Sequence, residues 1–183
     1  MNDDGAQHGV GVPDGLDRLW TPHRMAYIKG ESKPTGPDSE PEGCPFCEMP
    51  KLEDADGLIV ARGALTFCVL NLYPYNAGHL MVCPYRHVAD YTDLDDAEVA
   101  ELGAFTQRAM RVIRAISGAH GFNIGMNQGN VAGAGIAGHL HQHVVPRWGG
   151  DGNFMPIIAR TRVLPELLTD TRDLLSAAWD ALA

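Results

Sequence analysis

Three histidines stand at alternate positions in one short segment, His139, His141 and His143 within the run Gly138–Pro146, GHLHQHVVP. The run is otherwise mostly apolar and is typical of a β-strand, in which alternate side chains share one face at roughly 6.5 to 7 Å spacing. Imidazole titrates near neutrality, so such a row can supply a nucleophile, a proton donor and a metal ligand. A surface metal-binding tract, or chance in a chain with 8 histidines, is the alternative interpretation.

The composition limits the classes of protein that the chain can belong to. With 183 residues, of which 45% are hydrophobic, it can bury one core, which predicts a single domain with appendages. A net charge of -9 argues against a general nucleic-acid surface or an anionic-membrane surface. No apolar run approaches a membrane span, and the N-terminus lacks the pattern of a secretory leader. We therefore expect a cytoplasmic protein with no nucleic-acid or membrane partner and no organic cofactor.

A second pair of reactive side chains is the dithiol of Cys44 and Cys47, in the run CPFC. A disulfide framework is not expected in a reducing compartment, which leaves a metal site or a glutaredoxin-like redox pair. A redox pair should follow a strand and open a helix, whereas this one follows a connector rich in Pro, Glu and Gly. Cys68 and Cys83 lie in apolar runs and are predicted to be inert core thiols.

The elements that must position these side chains can be read from periodicity. Short apolar runs bounded by Gly, Asn and Pro predict strands at Leu58–Ala61, Thr66–Leu70, His79–Cys83 and Phe122–Asn127. A capping box at Thr92–Asp95 predicts a long helix that ends near Gly118 or Gly121, with a buried stripe of Val99, Leu102, Phe105, Ala109, Ile113 and Ile116. A C-terminal helix is predicted from Pro165, with a stripe of Leu168, Thr171, Leu175, Ala178 and Leu182 and with Trp179 as a packing anchor. The predicted class is α+β, one antiparallel sheet with helices packed on it.

The histidine run, together with Asn71–His87, resembles the histidine triad superfamily of nucleotide hydrolases and transferases, whose signature is His-x-His-x-His followed by two apolar residues. The resemblance covers residues 44–153, which are predicted to form the catalytic domain. Residues 1–43 would then be an N-terminal extension with a flexible connector, and residues 154–183 a tail whose helix packs on the same domain. The flanking segments are most similar to the bacterial branch that includes diadenosine tetraphosphate phosphorylases: Trp20–Met25, Ala132–Ile136 and Pro146–Asp151.

The resemblance implies a reaction. The family's nucleophile corresponds to His141, and the histidine beside the bridging or departing phosphate oxygen corresponds to His143. The implied activity is cleavage of dinucleoside polyphosphates through a covalent nucleotidyl-histidine. Inorganic phosphate as the second nucleophile would turn diadenosine tetraphosphate into ADP and ATP, whereas water would give AMP and ATP. Phosphorolysis is favoured, with hydrolysis or nucleoside phosphoramidase activity as alternatives.

The resemblance also implies a metal. The zinc-containing members carry a ligand set that matches Cys44, Cys47, His87 and His139. Four protein ligands would close a tetrahedral shell, so this zinc would be structural and would pin the connector to the catalytic strand. The alternative is that His139 only forms a hydrogen bond with a backbone carbonyl.

Further site residues are assigned through the same resemblance. Asn71 matches the ribose contact and Asn127 the phosphate contact, and His79 matches a histidine packed near the triad. The loop between Asn127 and His139 contains glycines that permit close approach to phosphate. The additional nucleotide or phosphate contacts predicted are Gly133, Gly135, Arg147 and Trp148.

Two residues depart from the family pattern, and a third point concerns assembly. Gln142 is polar where relatives are apolar, so its side chain needs a partner on the opposite sheet face or at a subunit boundary. Ile136 stands where many relatives have Ser or Thr, which removes a hydroxyl contact to phosphate. The family generally pairs through its long helix and a strand, so we predict at least a homodimer with the helix from Asp93 to Ser117 at the interface. The alternative is a monomer in which the helix Pro165–Ala183 covers that surface.

Overall fold

One antiparallel sheet organises the chain, of which the computed structural model describes residues 43–151 and 167–182. Within those ranges its strands are β1 (Ile59–Arg62), β2 (Thr66–Leu70), β3 (Leu80–Pro84), β4 (Gly121–Gly125) and β5 (Gln142–Arg147). Their order across the sheet is β1-β2-β3-β5-β4, and every neighbouring pair is antiparallel. The helices are α1 (Pro45–Glu48), α2 (Asp96–Ser117) and α3 (Leu168–Ala181), with short 3-10 turns at Met49–Lys51, Tyr91–Asp93 and Asn130–Ala132. The predicted α+β class is confirmed.

The two faces of the sheet bury different clusters. On the helix face, Cys68, Leu80, Val82 and Val144 pack against α2 and α3. On the opposite face, which we call the site face, a smaller cluster is formed by Ile59, Phe67, Val69, Met81 and Cys83 with Cys44 and Phe46. Cys68 and Cys83 are fully buried on opposite faces, and burial raises the pKa of each thiol, as expected for inert core cysteines.

Helix α2 begins three residues later than the predicted capping box. Asp95 is the N-cap: its carboxylate accepts from the Glu98 N–H at 2.8 Å, and the Glu98 carboxylate accepts from the Asp95 N–H at 3.0 Å. The prediction of a box at Thr92–Asp95 is wrong, because Thr92 is instead taken into a 3-10 turn capped by Asp90. The helix ends before Gly118, whose φ of 61° closes it in the left-handed conformation.

The buried stripe of α2 is only partly the predicted one. Leu102, Ala109 and Ile113 are buried as expected, whereas Val99, Phe105 and Ile116 are only partly buried. Thr106 is buried as well, and the Gln142 side chain on β5 donates to its hydroxyl at 2.6 Å. That hydroxyl in turn donates to the Leu102 carbonyl at 2.8 Å. Gln142 was expected to need a partner on the opposite sheet face or at a subunit boundary, and the long helix supplies it on the opposite face.

Helix α3 packs on α2 and β1. Thr171, Leu175 and Trp179 are buried, and the Trp179 ring lies 5.2 Å from that of Phe105, as expected of a packing anchor. The predicted stripe is wrong at Leu182, which is 50% exposed at the end of the helix. Pro165 and the segment Trp20–Met25 lie outside the described residues. None of the described helices combines the length and apolar character needed to cross a membrane.

Candidate functional site

The three histidines are not all part of one strand. Strand β5 begins at Gln142, so only His143 lies within it, while His141 directly precedes it and His139 sits in a bend. The prediction that all three lie on one strand is therefore wrong, although the rings stay side by side: Phe46 contacts both His139 and His141. His139 is held at the end of β3, where its Nε2 donates to the Pro84 carbonyl at 2.9 Å. The His139 ring is thereby turned toward the cysteines, and the rings of His141 and His143 meet edge to face with centroids 5.1 Å apart.

The tautomer of His141 follows from its backbone contact. Its Nδ1 lies 2.8 Å from the carbonyl oxygen of His139, which can only accept a hydrogen bond. The proton is therefore on Nδ1, and Nε2 carries the lone pair. Burial lowers the pKa of His141, so the imidazole is neutral near pH 7. A neutral, oriented imidazole with a free nitrogen lone pair is a competent nucleophile.

A chain of hydrogen bonds gives His143 the complementary tautomer. The Tyr75 backbone N–H donates to Nδ1 of His79 at 3.0 Å, so Nε2 of His79 carries the proton. That Nε2 donates to Nδ1 of His143 at 2.9 Å, which leaves the proton of His143 on its own Nε2. Burial, followed by the proximity of His141, lowers the pKa of His143 to about 4. His143 is thus a neutral N–H donor beside the His141 lone pair.

Four side chains converge at a second centre next to the histidines. The ligand atoms of Cys44, Cys47, His87 and His139 all lie within 4.8 Å of one another. Nδ1 of His139 is 3.5 Å from Sγ of Cys44 and 3.4 Å from Sγ of Cys47, and Nδ1 of His87 is 3.3 Å from Sγ of Cys47. Ligand atoms around a tetrahedral zinc are separated by about 3.6 Å, given Zn–S near 2.3 Å and Zn–N near 2.0 Å. The four residues therefore fit a tetrahedral metal ion.

The local chemistry also favours a cation there. Since His139 donates through Nε2, its Nδ1 lone pair is the one that points at the sulfurs. Burial keeps that ring neutral, with its pKa lowered to about 4. Burial, and then the neighbouring Cys44, raise the pKa of Cys47 to about 11, so a cation is needed to hold the Cys47 sulfur as a thiolate. Pro45 starts α1 between the two cysteines, and the Cys44 carbonyl accepts from the N–H groups of Cys47 and Glu48 at 3.0 Å each.

Polar groups of Asn71 and Gly133 are engaged in hydrogen bonds within the chain. The Asn71 side chain accepts from the Tyr73 N–H at 2.9 Å, and its amide nitrogen is 3.4 Å from Nδ1 of His79. Gly133, with a φ of 86°, closes the 3-10 turn, and its N–H donates to the Asn130 carbonyl. Asn127 is half-buried just after β4. Nucleotide contacts from Asn71, Asn127, Gly133 and Gly135 stay predictions.

The side chains of Arg147 and Trp148 make their contacts away from His141 and His143. Arg147 lies four residues along β5 from His143, roughly 13 Å away. Its guanidinium binds both carboxylate oxygens of Asp151, at 2.7 and 2.8 Å, and holds the pKa of that carboxyl far below its usual range. The Trp148 indole N–H donates to the Ser117 carbonyl at 3.0 Å, and its ring packs with the helix-face cluster. Their contact with a nucleotide stays a prediction.

Two aromatic residues that the sequence reasoning did not single out line the site. Phe46 packs on His141 with ring centroids 4.8 Å apart, and Tyr75 packs on His79 at 4.8 Å and on His143 at 5.6 Å. The only signal for Phe46 was its place between the two cysteines.

The HIT domain family matches residues 53–150, so the chain belongs to the HIT family. A Mycobacterium tuberculosis protein named AP-4-A phosphorylase is 56% identical over 172 residues, which are 93% of this chain and 88% of that protein. A zinc-bound histidine triad family protein from Mycobacterium smegmatis shares the fold with a TM-score of 0.61 and 28% identity, over 78% of this chain and 97% of that one. A histidine triad nucleotide-binding protein from Sulfolobus tokodaii gives 0.62 and 26%, over 76% and 93%.

Proposed function

We propose that the protein cleaves diadenosine tetraphosphate by phosphorolysis, yielding ADP and ATP through a covalent adenylyl-His141. The observation that carries the proposal is the pair of complementary imidazole nitrogens on neighbouring rings, a lone pair on Nε2 of His141 and a proton on Nε2 of His143. The 56% identity to a protein named AP-4-A phosphorylase supports the choice of substrate.

In the first step Nε2 of His141 attacks the α-phosphorus of one adenosine. A nitrogen–phosphorus bond forms, and the bond from that phosphorus to the bridging oxygen breaks, so ATP departs. The departing oxygen gains negative charge as the bond breaks, and the His143 N–H is the group that stabilises or protonates it. The positive charge that develops on His141 is shared with the His139 carbonyl through Nδ1–H.

In the second step an oxygen of inorganic phosphate attacks the same phosphorus. An oxygen–phosphorus bond forms and the nitrogen–phosphorus bond breaks, which releases ADP and restores His141. The two-step route replaces one difficult displacement by two easier ones. Asn71 is proposed to contact ribose, while Asn127 and the amides near Gly133 and Gly135 are proposed to contact phosphate oxygens.

We propose zinc as the occupant of the Cys44, Cys47, His87 and His139 centre. When bound it supplies a structural cross-link and no reactive position, because four protein ligands complete its shell. A dithiol redox role is less consistent with the geometry, since both sulfurs face imidazole nitrogens.

Dependence on phosphate tests the proposed reaction. With inorganic phosphate present, we expect diadenosine tetraphosphate to be consumed with equal yields of ADP and ATP. Without phosphate, we expect at most one ATP per active site before turnover stalls, because the adenylyl group has no acceptor. Chromatography of the nucleotides is the measurement. Steady production of AMP and ATP at the same rate in both conditions would instead identify a hydrolase.

We also propose that the protein is a homodimer built on α2 and β4. β4 is an edge strand, and its Ile124 lies 46% exposed on the helix side of the sheet. The alternative cover, α3, packs instead at β1, the other edge, where Arg172 donates to the Ile59 carbonyl at 2.7 Å.

Solution mass tests the dimer. We expect the wild-type protein to have at least twice the chain mass at micromolar concentration. Ile124→Asp should weaken the assembly because it places a charge in an apolar interface. The matched control Leu174→Asp changes a similarly exposed leucine on α3 and should leave the mass unchanged. A wild-type monomer at that concentration would contradict the proposal.

A further inference from the structure

Phe46 links the metal-binding cysteines to the proposed nucleophile. It lies between Cys44 and Cys47 in α1 and is only 3% exposed. Its ring centroid is 4.8 Å from that of His141, with the planes inclined by 32°, and 5.5 Å from that of His139. The Phe46 ring therefore packs directly against the His141 imidazole at a shallow tilt.

His139 makes a second link between the same two centres. Its ring offers Nδ1 to the cysteine sulfurs and Nε2–H to the Pro84 carbonyl, while its own carbonyl accepts from Nδ1 of His141. A single hydrogen bond fixes one edge of the His141 ring but permits the ring to tilt. A packed aromatic face on the same ring removes that freedom, as tight packing does in protein interiors.

We propose that the metal-binding segment orients the nucleophile, with Phe46 as the positioning residue. Binding of the metal by Cys44 and Cys47 fixes α1, and α1 presses the Phe46 ring on His141 so that its Nε2 points along the line of attack. The inference rests on the proposed function, because it requires His141 to be the attacking group. It gives the structural metal an effect on rate as well as on stability.

The competing explanation is that Phe46 only fills the core. Phe67 provides the matched control, because it belongs to the same site-face cluster and is fully buried. The Phe67 ring stacks on that of Tyr85, with centroids 5.2 Å apart, rather than on a histidine. Phe46→Leu and Phe67→Leu therefore remove the same atoms from the same cluster, and only the first removes a contact with His141.

The test compares zinc-loaded Phe46→Leu and Phe67→Leu in single-turnover release of ATP from diadenosine tetraphosphate. We expect Phe46→Leu to slow adenylyl transfer by about 10- to 100-fold with little change in KM, since small misplacements of reacting groups cost on this scale. We expect Phe67→Leu to lower the melting temperature by a similar amount with a rate near that of wild type. The proton NMR signal of His141 Nδ1–H should broaden in the first variant only.

Phe46→Met keeps side-chain bulk without the flat ring and replaces Phe46→Leu in the comparison if that variant does not fold. Equal rates for the Phe46 and Phe67 variants, or an unchanged Nδ1–H signal in a slowed Phe46 variant, would overturn the inference. A dead His141→Ala alongside such a result would leave the proposed function standing. An active His141→Ala would overturn both.

Discussion

His141→Ala is expected to lower turnover of diadenosine tetraphosphate by on the order of 10⁴-fold or more, because loss of a covalent nucleophile removes the two-step route altogether. The fold should be retained, since His141 contributes one hydrogen bond and ring contacts with Phe46 and His143 beside the site-face cluster. The measurement is kcat with and without phosphate, alongside thermal melting.

The matched control is His120→Ala. His120 is an exposed histidine that follows α2, and its Nδ1 accepts from the Gly149 N–H away from the paired histidines. Its removal should change turnover by less than about threefold, as is usual for surface substitutions. Retention of more than about a tenth of wild-type activity by His141→Ala would end the covalent assignment.

Among the changes considered, loss of the metal is expected to lower the stability of the fold most. Purified protein should contain about one zinc per chain, and Cys47→Ser or a strong chelator should lower the melting temperature markedly, because metal binding contributes directly to folding. The control Cys68→Ala removes a buried thiol on the helix face and should leave the zinc content unchanged. Zinc-free protein that melts identically with and without chelator would contradict the proposed zinc site.

The quartet of metal ligands could be predicted from the sequence because two thiols separated by two residues match a known ligand spacing and the resemblance supplied the two histidines. The sheet and the long helix could be predicted because apolar periodicity records which face is buried. Gln142 could be predicted to need a partner because a buried amide is costly when unpaired, and the structure supplies Thr106.

The features that the sequence did not predict depend on contacts that no local residue pattern records. Alternation predicted the three histidines on one strand, but only His143 lies in β5, and His139 is held by the Pro84 carbonyl, 55 residues earlier. Asp95, rather than Thr92, caps α2 because Asp90 already holds Thr92. The tautomers of His141 and His143 are set by backbone groups at His139 and Tyr75, which no residue pattern records.

The most direct test of the account is mass analysis of protein mixed with diadenosine tetraphosphate in the absence of phosphate. We expect a mass increase of one adenylyl group on the peptide that contains His141, with one ATP released for each group attached. Addition of phosphate should remove the group as ADP. Release of ATP with no adduct, or an adenylyl group attached to a residue other than His141, would contradict a covalent adenylyl-His141 as the intermediate.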